Sequence, residues 1–126
     1  MSQSSEPLKK RTKQFALRTI RLASSLPTDK VCDVIGRQLL RSGTSVGANY
    51  RAACRAKSPK DFCSKMGTVE EEADESVYWM ELLVESGFVK QKLINPLIQE
   101  GQELTAIAVS SINTTRKNLQ AKKQKH

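Results

Sequence analysis

Histidine is almost missing from this sequence: one residue in 126, and that one, His126, is the last. With no histidine inside the chain, Ser-His and Cys-His nucleophilic constellations are excluded, as is the Glu-x-x-His pair of the kind that builds di-iron sites in helical bundles. No G-x-x-x-x-G-K-[ST] or G-x-G-x-x-G loop occurs, so a phosphate-cradling backbone is lacking too. Cysteine is confined to Cys32, Cys54 and Cys63, an odd set without a C-x-x-C pair. That pattern fits neither a disulfide framework nor a zinc knuckle, and reads as buried thiols in a reducing compartment. Aromatic residues are scarce, one Trp, two Tyr and three Phe, which leaves few platforms for stacked bases. The longest uncharged run, Leu104 to Thr115, is too short and too polar to cross a bilayer, and residues 1–6 lack an apolar signal core. These absences lead us to expect a cytoplasmic, non-enzymatic protein with no catalytic residues, no cofactor and no metal site.

What is present is helical periodicity. Leu8, Thr12, Phe15, Thr19, Leu22 and Leu26 step by four and three and predict a first helix from about Leu8 to Ser24, closed by Ser24, Ser25 and Pro27. Thr28 or Asp29 can cap a second helix, about Lys30 to Ala56, with Ile35, Leu39, Val46, Tyr50 and Ala53 on its core side. Within it, Ser42 to Gly47 is weak helix, and its small residues predict a bend or a close helix contact. Ser58 followed by Pro59, with Asp61 three residues after the serine, marks the start of a third helix running to about Glu85, which Gly87 terminates. Its buried stripe is Phe62, Met66, Val69, Ala73, Val77, Met80 and Leu83 or Val84. A fourth helix places Leu93, Leu97, Gly101, Leu104, Ala108 and Ser111 in one arc with Ile107 and Ile112 on its flanks; it begins either at Asn95 or near Gln91 with Pro96 inside. Four amphipathic helices on short connections predict an all-α, antiparallel, up-down four-helix bundle with a long second and third helix. We expect a disordered lead over 1–7, one bundle domain over 8–117 and a basic disordered tail over 118–126.

The net charge of +8 conceals a division. Residues 1–60 carry thirteen Lys or Arg against three acids, 61–113 three against ten, and 114–126 five against none. Such a chain either pairs its halves, within or between subunits, or offers the surplus to a polyanion. At about 100° per residue, Arg37, Arg41, Arg51 and Arg55 share a wedge of roughly 80° on the second helix, opposite its apolar side. These four, with Lys9, Lys10, Arg11 and Lys13 of the first helix, are candidates to contact the phosphates of RNA or DNA. The competing reading pairs the arginines with acids of the third helix. Glu70, Glu71, Glu72, Asp74 and Glu75 point in different directions and suit a solvated or ion-paired face better than a metal site. Tyr78 and Trp79, adjacent on that helix, cannot both face the core. Either one covers a groove or, with Glu72 and Glu75, it anchors an interface with a second subunit.

The stretch R-S-G-T-S-V-G-A-N-Y-R-A-A-C-R-A-K-S from Arg41 to Ser58, together with D-F-C-S-K-M-G-T-V-E-E-E-A-D-E-S-V-Y-W-M-E-L-L from Asp61 to Leu83, resembles the four-helix-bundle family encoded in intervening sequences of bacterial large-subunit ribosomal RNA genes. The pattern is carried by Gly47, Asn49, Arg51, Ala52 and Ala53 on the second helix and by Glu72, Glu75, Tyr78, Trp79 and Glu81 on the third. The resemblance implies a small cytoplasmic bacterial bundle that assembles as a ring-like homopentamer. A related branch serves as the accessory protein of diversity-generating retroelements, so the resemblance also implies nucleic acid, and a reverse transcriptase or another protein, as partners.

Overall fold

The computed structural model describes residues 2–124, with side chains from residue 5 onward; Met1, Lys125 and the lone His126 lie outside the described residues. Four helices follow one another, α1 (Ser2–Ser25), α2 (Lys30–Cys54), α3 (Pro59–Glu85) and α4 (Gln91–Gln124), joined by short turns. Each packs mainly against its neighbours in sequence, and α1 meets α4 only lightly. The result is the expected up-down bundle, with a seam between its first and last helices.

Local chemistry sets the boundaries. Asp29 caps α2, its carboxylate accepting from the Val31 and Cys32 amides at 2.7 and 3.3 Å. The Ser58 hydroxyl accepts from the Asp61 amide at 3.0 Å, Pro59 occupies the first helical position, and Asp61 in turn accepts from the Lys57 amide at 3.1 Å. At the other end of α3, Gly87 adopts φ +86°. The Phe88 and Gly87 amides donate back to the carbonyls of Leu83 and Val84, closing the helix in a Schellman motif.

The Asp61 carboxylate is held below its ordinary pKa, first by Lys65, whose ammonium sits 2.7 Å away, and then by the Lys57 amide. A carboxylate favoured in the folded state stabilises above its unfolded pKa and ceases to do so as pH falls through the folded value. Protection of the Lys57 amide, taken relative to the intrinsic exchange rate of an unstructured chain at the same pH, is therefore expected to hold from neutral pH down to the ordinary aspartate range and then fall. In Asp61→Asn protection should be lower at neutral pH and show no such fall with acid.

Phe15, Leu39, Val46, Met66, Ala73, Met80, Leu83, Leu104 and Ala108 form the centre of the core. Thr12 and Thr19 of α1 and Leu26 just past its end, at steps of seven residues, lie against Gly47, Gly43 and Gly36 of α2. Small residues at Ser42 to Gly47 thus serve a close helix contact, within a helix that runs unbroken through them. The buried Thr12 and Thr19 hydroxyls donate to the carbonyls of Lys9 and Ala16 in their own helix, so burial leaves them satisfied. Ser42 and Ser76, both fully buried, lie with their hydroxyls 2.9 Å apart between α2 and α3.

Several expectations differ from the structure. Helix α1 starts at Ser2 and α4 continues to Gln124, where a lead over 1–7 and a tail over 118–126 were expected. Residues 118–124 are mostly good helix formers without an apolar stripe, so they leave no periodic signal, while three serines and Pro7 in residues 2–7 make that segment weak helix by local propensity. Helix α4 begins at Gln91 with Pro96 inside it, and its buried arc is Ile94, Leu97, Gly101, Leu104, Ala108 and Ile112. Leu93 is instead 76 % exposed and Ser111 lies at the margin of the core, because the arc turns toward Ile94 and Ile112. Of the three thiols only Cys32 is buried, where desolvation pushes its pKa up; Cys54 is exposed and Cys63 half-buried.

Candidate nucleic-acid interface

The continuity of α2 places Arg37 and Arg55 about 27 Å apart along one helix. The four arginines of the wedge do not act alike. Arg41 turns to α3: its guanidinium donates to Glu72 Oε2 at 3.2 Å, pairs with Glu75, and donates through Nε to Gln38. Arg37, Arg51 and Arg55 are exposed and form no ion pair among the described residues. The ridge is therefore divided, one member spent on the fold and three left to solvent.

The basic residues of α1 divide in the same way. Arg11 crosses the seam to α4 and grips Glu100 with two parallel bonds of 2.9 and 2.7 Å, adding Glu103 at 2.9 Å. The Glu100 hydrogen bond is the main cause of a guanidinium pKa raised above its ordinary value. Lys9 lies 3.4 Å from Glu6. Lys10 and Lys13 are exposed and line, with Lys9 and Arg51, a groove of about 560 Å³ between α1 and α2. The sequence pattern could not show that Arg51 belongs with Lys10 and Lys13 more than with Arg37.

A larger groove, about 1050 Å³, opens where the start of α1, the end of α2, the start of α3 and the outer half of α4 converge. Leu8, Tyr50, Ala53, Phe62 and Ile107 line its floor, and all its charged lining residues, Lys9, Arg11, Arg55 and Lys57, are cationic. The Tyr50 hydroxyl's pKa is raised by burial first and then by Cys54. Up-down topology concentrates charge at this end. The converging segments 5–11, 51–65 and 100–124 hold twelve Lys or Arg against four acids, Glu6, Asp61, Glu100 and Glu103. The rest of the described chain holds eight against nine. Lys57 and Lys60 belong to this basic end and were not singled out from sequence, since two lysines beside a helix cap carry no pattern of their own.

The residues expected at a subunit interface also have partners within the chain. Glu72 and Glu75 hold Arg41, and Glu75 additionally accepts from the Trp79 indole N–H at 3.3 Å. Trp79 packs against the core, while Tyr78 is 52 % exposed and meets it edge-on at 5.2 Å between ring centroids. On that outer side of α3, Glu71, Asp74 and Glu85 are exposed and form no ion pair among the described residues. No helix is long and apolar enough to cross a membrane, and no three Cys, His, Asp or Glu side chains gather as a metal-binding group, among the described residues.

Residues 7–110 match the family described as 23S rRNA-intervening sequence protein. The chain is also similar to a crystal structure from Bacteroides thetaiotaomicron, described as a protein with unknown function from the S23 ribosomal protein family. Identity is 34%, the match covers 82% of this chain and 96% of that one, and the TM-score is 0.77. The comparison with curated proteins returned no match.

Proposed function

From a chain that belongs to the 23S rRNA-intervening sequence protein family, and that folds as a four-helix bundle with one basic end, we propose a non-enzymatic, cytoplasmic protein that binds RNA or DNA as a homo-oligomer. The observation that carries this reading is the basic end itself: twelve cations against four acids on segments remote in sequence. Arg11 is committed to Glu100 and Glu103, yet Lys10, Lys13, Arg51, Arg55 and Lys57 remain exposed around two adjoining grooves. A phosphate backbone laid across them would release counterions from several sites at once.

Assembly is part of the same reading. The outer side of α3 offers Tyr78 amid unpaired acids, and the outer side of α2, away from the basic end, offers the unpaired Arg37; on neighbouring copies the two would complement each other head to tail, a contact that forms a ring when the rotation between copies closes. By resemblance that ring has five members. A sedimentation mass of one chain across micromolar concentrations would rule this out.

Salt dependence tests the binding. The logarithm of affinity should fall linearly with that of salt, and replacing Lys13, Arg51 and Arg55 by Gln should shallow the slope by roughly 0.7 per lost contact on single strands or 0.9 on duplex. Arg41→Gln should instead cost about 1 kcal/mol of stability, discounted because Arg41 is half exposed, with little change in slope. An unchanged slope in the triple variant would remove the basic end from the site. The second reading, a scaffold whose charges serve only its own assembly or a protein partner, draws on the Arg41 pairs with Glu72 and Glu75. It requires that no nucleic acid binds.

A further inference from the structure

The larger groove differs from the rest of the basic end in having a floor. Cations alone suit any phosphate backbone, paired or unpaired, and need no cavity behind them. Here Arg55 and Lys57 stand at the rim of a depression of about 1050 Å³, at the upper limit of what small-molecule sites enclose, with Leu8, Tyr50, Phe62 and Ile107 beneath. Leu8, Phe62 and Ile107 are only half-buried, so their apolar surface is open to a ligand. Among the described residues no carboxylate lines the groove.

A cationic rim over an apolar, partly aromatic floor is complementary to a ligand with a flat apolar body joined to an anion. An unpaired nucleotide has that form. In a duplex the base faces are stacked on one another and the backbone alone is offered, so a duplex could use the rim but not the floor. We infer that this groove receives an unpaired nucleotide of a single-stranded nucleic acid, the base against Phe62 and Ile107 and the flanking phosphates on Arg55 and Lys57. This rests on the nucleic-acid reading above and narrows it from polyanion to single strand.

The test fills the floor without touching the charge. Ser111 and Thr115, both half-buried on the α4 side of the groove, carry no charge and can be replaced by leucine, which takes up space without offering a new stacking face. The full-length chain, the pair Ser111→Leu with Thr115→Leu and the pair Arg55→Gln with Lys57→Gln are titrated with a fluorescently labelled single-stranded oligoribonucleotide, and with the same strand annealed to its complement. Circular dichroism melting confirms that each variant is folded. The expected result is that the parent chain prefers the single strand. The leucine variant should lose about tenfold or more of single-strand affinity, the scale of one base–aromatic stack, while duplex affinity and both salt slopes stay as they were. The double Gln variant should weaken both ligands and shallow both slopes. Equal affinity for the two forms, or equal losses on both in the leucine variant, would overturn the single-strand assignment and leave nucleic-acid binding standing. Displacement of the strand by dodecyl phosphate without any single-strand preference would give the groove to an amphipathic anion instead. No binding of either form by the parent chain would defeat both readings.

Discussion

Valine at position 43 is expected to unfold a large part of the population at moderate urea, with a stability loss of about 3 kcal/mol or more. A β-carbon built on Gly43 falls 2.5 Å from Thr19 Oγ1, 2.7 Å from its Cγ2 and 2.8 Å from its Cβ. The last of these cannot be relieved by turning the side chain, so α1 must move off α2. Alanine at the same place should gain about 1 kcal/mol of helix propensity over glycine and still lose overall. Gly67 is the control. A β-carbon there meets nothing within 4 Å, so Gly67→Ala should raise stability by up to about 1 kcal/mol. Thr19→Ala combined with Gly43→Ala should recover only part of the loss, because it removes two of the three close atoms. If Gly43→Ala alone melted higher than the parent, the close approach of α1 and α2 would be wrong.

The second large effect is at Phe15, which is fully buried and whose ring atoms lie 3.4 and 3.5 Å from where a Gly101 β-carbon would stand. Phe15→Ala should cost about 3–5 kcal/mol, the lost transfer energy of the ring plus the cavity left between α1 and α4. Against a total stability of roughly 5–15 kcal/mol for a domain, that brings the chain near its unfolding threshold. Leu17, two residues on but 39 % exposed, should cost about 1 kcal/mol or less when cut back to alanine. Urea melts decide the matter through their midpoints, the slopes remaining close to that of the parent. A Phe15→Ala variant within about 1 kcal/mol of the parent would mean that the ring is not part of the core.

Helix boundaries and most of the core were legible in the sequence wherever the chemistry was local. Ser58, Pro59 and Gly87 mark the ends of α3 through caps and a left-handed glycine, and these depend on a few adjacent residues. The small residues from Ser42 to Gly47 announced a bend or a close contact for the same reason, although not which of the two, nor with which helix. What stayed hidden depended on partners distant in the chain. Arg11 read as one of several exposed cations until Glu100, 89 residues away, came within 2.7 Å of it. Arg41 and Arg37 occupy one wedge and look equivalent, yet only Arg41 lies level with Glu72 and Glu75 across the α2–α3 boundary. The buried Ser42 and Ser76 hydroxyls were invisible because serine in a helix ordinarily signals solvent; burial is tolerated because each reaches a carbonyl one turn back, Gln38 and Glu72, and the two meet each other. The groove at the basic end is assembled from all four helices, so no window of sequence contains it.

The light contact between α1 and α4 bears on how the chain reaches this structure. Each extensive interface joins helices that are consecutive in sequence, so a hairpin of two helices can form and be stabilised before the next arrives. Little loop-closure entropy has to be overcome in advance, which places the chain among topologies that fold in microseconds to milliseconds. Joining the first helix to the last, through Arg11 with Glu100 and Phe15 with Gly101, is then the one long-range event. Its loss would leave the three sequential interfaces in place, so partial opening along that line requires less free energy than unfolding the whole, and amides flanking it should exchange before those of α2 and α3.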